Sequence, residues 1–167
     1  MKEWENIYLV GFMGVGKTTV GKELAKAIER SFVDLDEYII QKQQLTIPEI
    51  FERFGESGFR KMETDALKDC FGKKAVVSTG GGIVEVESNI QCMEKSGIIV
   101  FLNASFETIY DRIKGDSTRP LTNEGLSGLK NRFERRIPLY KKGKIIIDTE
   151  EKSVEEVIKE IYQHIHV

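Results

Sequence analysis

The chain is predicted to fold as a doubly wound α/β sandwich built on a parallel sheet. Three observations predict it. Short β-branched apolar runs are continuous rather than alternating, as strands covered on both faces require. Amphipathic helical stretches separate them, and glycine-rich clusters directly follow two of the runs.

Residues 7–10 form the first predicted strand. The helix after it carries Val20, Leu24, Ala27 and Ile28 on one face. A brief run at residues 32–34 makes the second strand and ends on Asp34. Residues 34–63 hold two or three helical segments, more than one crossover needs, and read as an inserted helical subregion. Met62, Ala66, Leu67 and Cys70 share a helical face, with Gly72 as its stop. Residues 75–77 and 98–102 give the third and fourth strands, and residues 145–147 the fifth. Between the last two, residues 114–128 are polar, rich in Gly, Ser, Thr and Asn, and are expected to form a mobile loop. Ser153 and Glu156 make a capping box for a last helix with Val154, Val157, Ile158, Ile161 and Ile165 on its apolar face.

Composition narrows the function classes. With 167 residues, 40% hydrophobic and 31% charged, the chain suits one folded domain spanning residues 1–167. A net charge of −2 supplies no overall basic field for nucleic acid. No segment nears the ~20 apolar residues that cross a bilayer. The charged start, with Lys2, Glu3 and Glu5, is unlike a secretory leader. Cys70 and Cys92 are single and widely spaced, which favours packing over a disulfide or zinc site. The expectation is a cytoplasmic monomer that binds neither nucleic acid nor membrane.

The strongest chemical signal is Gly11-Phe12-Met13-Gly14-Val15-Gly16-Lys17-Thr18, a full match to GxxxxGK[ST] between a strand and an amphipathic helix. In such a loop backbone N–H groups turn toward phosphate oxygens, and the helix N-terminus adds partial positive charge. Lys17 can reach the β- and γ-phosphates, and the Thr18 hydroxyl can ligate Mg²⁺. No guanine-reading NKxD tetrapeptide is present, so the nucleotide is expected to be ATP.

Two further clusters sit at predicted strand ends. Asp34 and Asp36 are two residues apart, so strand alternation would point both at one ligand. One would support Mg²⁺ and the other would accept a hydroxyl's proton. Equally, Asp36 would serve as cap for a helix starting at Glu37. Ser78-Thr79-Gly80-Gly81-Gly82 carries more glycine than a sharp βα turn needs and suits close backbone approach to a ligand. Among Arg60, Arg112, Arg119, Arg132, Arg135 and Arg136, a solvated helix face is the ordinary reading for any one of them. Arg119 stands apart because it lies in the polar loop, placed to swing onto phosphates. From the residues alone the chain is a kinase for a small acceptor bearing hydroxyls and an anionic group.

Taken together, these motifs resemble shikimate kinase over essentially the whole chain. The resemblance rests on the phosphate loop through Thr19, Val20 and Gly21, the Asp34–Asp36 pair, and Ile47-Pro48-Glu49-Ile50-Phe51. It continues through Gly55-Glu56, Phe59-Arg60, Glu63, the triple glycine, Arg119-Pro120-Leu121 and Arg136-Ile137-Pro138-Leu139-Tyr140. It implies a P-loop NTPase, an adenylate-kinase-like three-layer sandwich whose five-stranded parallel sheet has order 2-3-1-4-5. A substrate-binding region at about 34–63 and a lid at about 114–128 come with that fold.

The resemblance also implies roles. Lys17, Asp36 and Arg119 would be catalytic, with Asp36 the proton acceptor. Gly14, Val15, Gly16, Lys17, Thr18, Thr19, Arg112 and Arg119 would hold ATP, with Arg112 near adenine. Thr18 and Asp34 would hold Mg²⁺. Arg60 and Arg136 would clamp the shikimate carboxylate, Gly80, Gly81 and Gly82 would donate backbone N–H groups, and Phe51 and Phe59 would wall the ring. Glu63 would hold an arginine in place. Thr46, where the family often has Ser, and Thr122, where it usually has Leu, are small departures. A gluconate-type kinase, a nucleoside monophosphate kinase and a non-catalytic nucleotide-binding module are the rival readings.

Overall fold

A computed structural model describes residues 6–115 and 125–166. Five parallel strands, β1 (Asn6–Val10), β2 (Phe32–Asp34), β3 (Val76–Ser78), β4 (Gly97–Asn103) and β5 (Ile145–Asp148), form one sheet of order β2-β3-β1-β4-β5. Each lies where a β-branched run predicted it. Central β1 is buried at every residue, with Ile7 beside Val76 of β3 on one side and Ile98 of β4 on the other. This is the two-sided coverage that a continuous apolar run encodes. β5 differs from that expectation. It lies at the sheet edge, its burial alternates, and Ile146 remains 47% exposed.

Among the described residues, seven α-helices complete the layers: α1 (Lys17–Ala27), α2 (Leu35–Gln43), α3 (Ile47–Asp69), α4 (Glu87–Ser96), α5 (Phe106–Ile113), α6 (Gly125–Tyr140) and α7 (Val154–Ile165). Helix α1 buries Val20, Gly21, Leu24 and Ala25. Ala27, expected on that face, is exposed because the helix ends there and Ile28 becomes its C-cap. The capping box of α7 forms as expected, with Ser153 and Glu156 satisfying each other's backbone N–H groups. Thr46 builds the same device with Glu49 at the start of α3, so threonine in place of serine costs the fold nothing evident.

The region 34–63 holds α2 and a helix interrupted at Gly55, where φ is 68° and ψ −177°. The interruption accounts for the third helical segment expected there, since only glycine tolerates that conformation readily. Residues 125–128, placed in the polar loop by composition, already belong to α6. Of the rest of the expected lid, residues 114 and 115 form a turn after α5, and residues 116–124, with Arg119 and Thr122, lie outside the described residues.

Under the sheet, away from the strand ends that bear the motifs, Asn6 is fully buried. Its amide donates to the Cys70 carbonyl at 2.9 Å and to the Tyr8 hydroxyl at 2.9 Å, and it accepts from the Ala75 N–H at 2.9 Å. Asn6→Ala strands several buried polar groups at once and is expected to destabilise the fold by about 2–4 kcal/mol. Urea denaturation reads this, and a change below ~1 kcal/mol would show that the groups find other partners.

Candidate active site

The loop after β1 closes into α1 at Gly16, whose φ of 106° is left-handed and strains any side chain. The Lys17 ammonium spans this loop, donating to the carbonyls of Gly11 at 2.6 Å and Phe12 at 3.1 Å. It is thereby held at the mouth of the helix N-terminus, where phosphate binding is favoured.

Asp34 closes β2 in register with Ser78 of β3. One of its carboxylate oxygens accepts from the Glu37 N–H at 3.1 Å, and the other accepts from the Thr18 hydroxyl at 3.0 Å. The helix cap is therefore Asp34, not Asp36. Asp36 lies in the first turn of α2, so strand alternation is not what aligns the two carboxylates. Helix entry does that instead. Both still line a cleft of about 460 Å³, together with Lys17, Thr18, Gly80 and Arg112.

The triple glycine shows why small residues are needed there. Its φ values avoid the left-handed region, so conformation is not the reason. A Cβ at Gly80 would lie 2.6 Å from a Glu63 carboxylate oxygen and 3.1 Å from one of Asp36. At Gly81 it would meet an Arg136 nitrogen at 3.2 Å, and at Gly82 it would run into the Arg60 guanidinium. The glycines make room for charged side chains to converge on one strand end.

Those side chains form a connected cluster. Arg60 donates to Glu63 at 2.5 Å, and its guanidinium lies 5.6 Å from the Phe59 ring. Phe51 and Phe59 pack with ring centroids 4.9 Å apart, Phe59 buried and Phe51 39% exposed. Burial pushes the Glu63 carboxyl above its ordinary value; Arg60 pulls it back, and neighbouring Asp36 adds to the rise. Arg136 is buried, its guanidinium 5.9 Å from the Phe12 ring. Its Nε is buried and has no partner among the described residues.

Sequence reasoning missed two members. Glu85, three residues beyond the triple glycine in a 3₁₀ turn (Ile83–Glu85), accepts from Arg136 at 3.0 Å and from Arg135 at 2.9 Å. Tyr140 donates its hydroxyl to the Gly81 carbonyl at 2.5 Å and is buried at the end of α6. Burial holds its phenol well above the ordinary tyrosine value. Tyr140 closes the Arg136-Ile137-Pro138-Leu139-Tyr140 motif without a role being assigned to it, and Glu85 had no local signal, although several arginines with only one named carboxylate among them hinted at a missing counter-ion.

On the far side of the phosphate loop a second cleft of about 250 Å³ is lined by Thr19, Arg112, Thr149, Lys152 and Val154. Arg112 donates to the Val15 carbonyl at 3.2 Å, which ties α5 to the loop. Gly14 and Gly16 line both clefts, and Val15 lines the second. The hard oxygen donors of Thr18 and Asp34, already within hydrogen-bond distance, suit Mg²⁺. Among the described residues no group of three or more His, Cys, Asp or Glu is placed to hold a metal.

A family model described as shikimate kinase matches residues 13–166. The chain belongs to the shikimate kinase family. A shikimate kinase from Sulfurihydrogenibium sp. is 41% identical over 158 residues, covering 94% of this chain and 95% of the relative. The structure of shikimate kinase from Acinetobacter baumannii in complex with shikimate aligns with a TM-score of 0.90 at 38% identity, over 98% of this chain and 93% of that one. A gluconokinase from Sinorhizobium meliloti aligns at TM-score 0.65 and 18% identity, over 96% of this chain and 90% of that one. The last is a likeness of fold alone. Sheet order and family agree with the P-loop, adenylate-kinase-like architecture.

Proposed function

We infer that this member of the shikimate kinase family transfers the γ-phosphoryl group of ATP to the 3-hydroxyl of shikimate, giving shikimate 3-phosphate and ADP. The observation that carries it is one continuous site. The phosphate loop with Lys17 and the carboxylate of Asp36 share a cleft, and Gly80 and Gly81 connect that cleft to the Arg60–Glu63 pair and Arg136.

Each residue then has a physical task. ATP phosphates lie along residues 11–18, and the base takes the second cleft between Arg112 and the segment from Thr149 to Val154. Thr18 and Asp34 hold Mg²⁺, which supplies positive charge to the phosphates when bound. The shikimate carboxylate docks on Arg60 and Arg136, whose planar forks suit it. Phe51 and Phe59 wall the ring, and backbone N–H groups of residues 80–82 meet its polar edge. Asp36 orients the 3-hydroxyl and takes its proton as the oxygen attacks in line. Lys17 neutralises charge spreading over the transferring group. Arg119 is assigned the same role on its motif alone. A cytoplasmic monomer acting on these two small molecules remains the reading of the whole chain, and no described helix is long and apolar enough to cross a membrane.

A coupled ADP-release assay with Mg-ATP and, in turn, shikimate, gluconate, AMP or no acceptor tests the reading. ADP is expected with shikimate alone. Turnover with gluconate or AMP instead would overturn the acceptor, and silence with all of them would leave a nucleotide-binding module. Within the same assay, Arg136→Ala is expected to raise KM for shikimate about 10–100-fold, the worth of a charge-assisted hydrogen bond, with kcat little changed. An unchanged KM would remove Arg136 from the clamp.

A further inference from the structure

We propose that Glu85 is the positioning residue of the acceptor site: its carboxylate bridges Arg60, Arg135 and Arg136 and so sets the geometry in which two guanidiniums receive the substrate carboxylate. The inference rests on Arg60 and Arg136 forming that clamp.

The geometry is specific. One Glu85 oxygen accepts from Arg135 twice, from Nε at 3.1 Å and Nη2 at 2.9 Å. The other accepts from Arg136 Nη2 at 3.0 Å and lies 3.6 Å from Arg60 Nη2. Arg60 comes from α3 and Arg136 from α6, and no carboxylate besides Glu85 pairs with both among the described residues. Glu63 is hydrogen-bonded to Arg60 and acts on Arg136 only through longer-range attraction. Two like charges held close need an anion between them or they spread apart. Glu85 is that anion, and burial of its carboxyl is outweighed by Arg136 and Arg135, which keep it ionised at neutral pH.

The attachment points matter as much as the charge. Glu85 engages Arg136 through Nη2, and Nε remains buried without a partner. A guanidinium held by Glu85 at one terminal nitrogen, hydrogen-bonded to the Tyr140 side chain and facing the Phe12 ring cannot rotate freely. It presents its remaining donors in one direction. The 3₁₀ turn that carries Glu85 starts directly after the triple glycine, so the backbone that faces the acceptor and the carboxylate that orders its clamp belong to one short continuous segment. In Arg135, 61% exposed, the cluster has an outer cation that holds the second Glu85 oxygen and keeps the carboxylate from swinging outward.

Glu85→Gln keeps the shape and removes the charge. With Mg-ATP and shikimate, KM for shikimate is expected to rise about tenfold or more, with kcat within twofold and KM for ATP unchanged. Glu85→Asp, which keeps the charge on a shorter arm, is expected to restore part of the loss. A neutral acceptor, the carboxamide of shikimate, completes the test. Wild type should disfavour it against shikimate, and Glu85→Gln should narrow that gap. A fall in KM on Glu85→Gln would mean that Glu85 competes with the substrate carboxylate, and would overturn the proposal. Equal losses in kcat and in KM for both substrates would overturn it too, by showing a general structural role. If Arg136→Ala raises KM and Glu85→Gln does not, the clamp stands and the role of Glu85 falls. If neither changes KM, the clamp itself is wrong.

Discussion

Lys17→Ala is expected to lower kcat for shikimate phosphorylation by about 10²–10³-fold, or ~3–4 kcal/mol of transition-state stabilisation, while the protein stays folded. The ammonium is preorganised. It is held on the carbonyls of Gly11 and Phe12 at the start of α1, so it meets charge on the transferring group without first being gathered from solvent. The carbonyls that hold it belong to the loop, and its side chain lines the open cleft, so its loss removes little packing. Lys17→Arg should recover only part of the rate, because a planar fork is a poor replacement for a compact point charge in a loop this tight. The coupled assay gives kcat, and a thermal melt reports whether the fold persists. A kcat within tenfold of wild type would take Lys17 out of the catalytic step.

Asp36→Asn should cost about 10²–10⁴-fold in kcat, the range for a positioned proton acceptor. The substitution is nearly isosteric and leaves the start of α2 intact, because the cap there is Asp34. The amide can still orient a hydroxyl, but it cannot take the proton. KM for shikimate should therefore move much less than kcat. A raised KM with unchanged kcat would make Asp36 a binding residue only, with the proton passing directly to the phosphoryl oxygens. Asp34→Asn, by contrast, perturbs both the helix cap and the Thr18 hydroxyl, so its effects on stability and on rate would be mixed.

The contrast between these two carboxylates shows how far the residues could be read in advance. Strand alternation brought Asp34 and Asp36 to the same ligand, and they do share one cleft, yet the route is different: β2 ends at Asp34 and Asp36 enters a helix. From the sequence, the triple glycine is expected to admit close approach of a ligand to its backbone. What approaches, however, includes the protein's own Glu63, Asp36, Arg136 and Arg60. Three isoleucines in a row look the same at an edge as in the centre, so the sequence predicts β5 to be covered on both faces, and only its place in the sheet order exposes Ile146.

By itself the sequence determined whatever is encoded between near neighbours. The glycine-rich loop, the capping boxes of Thr46 and Ser153, the five apolar runs and the crossover helices depend on backbone preferences and side chains a few residues apart. Recognised motifs extended this to the family and the acceptor. Only the tertiary structure decided who partners whom among the charges. Glu85 meets Arg136 across 51 residues, Tyr140 meets Gly81 across 59, and Asn6 meets Ala75 across 69. Such contacts follow from which strands are neighbours and which helix ends overhang them. A charged residue carries no mark of its partner in its own vicinity. The mark appears when the folded backbone brings two ionised groups into a space too poor in water to leave either one unpaired.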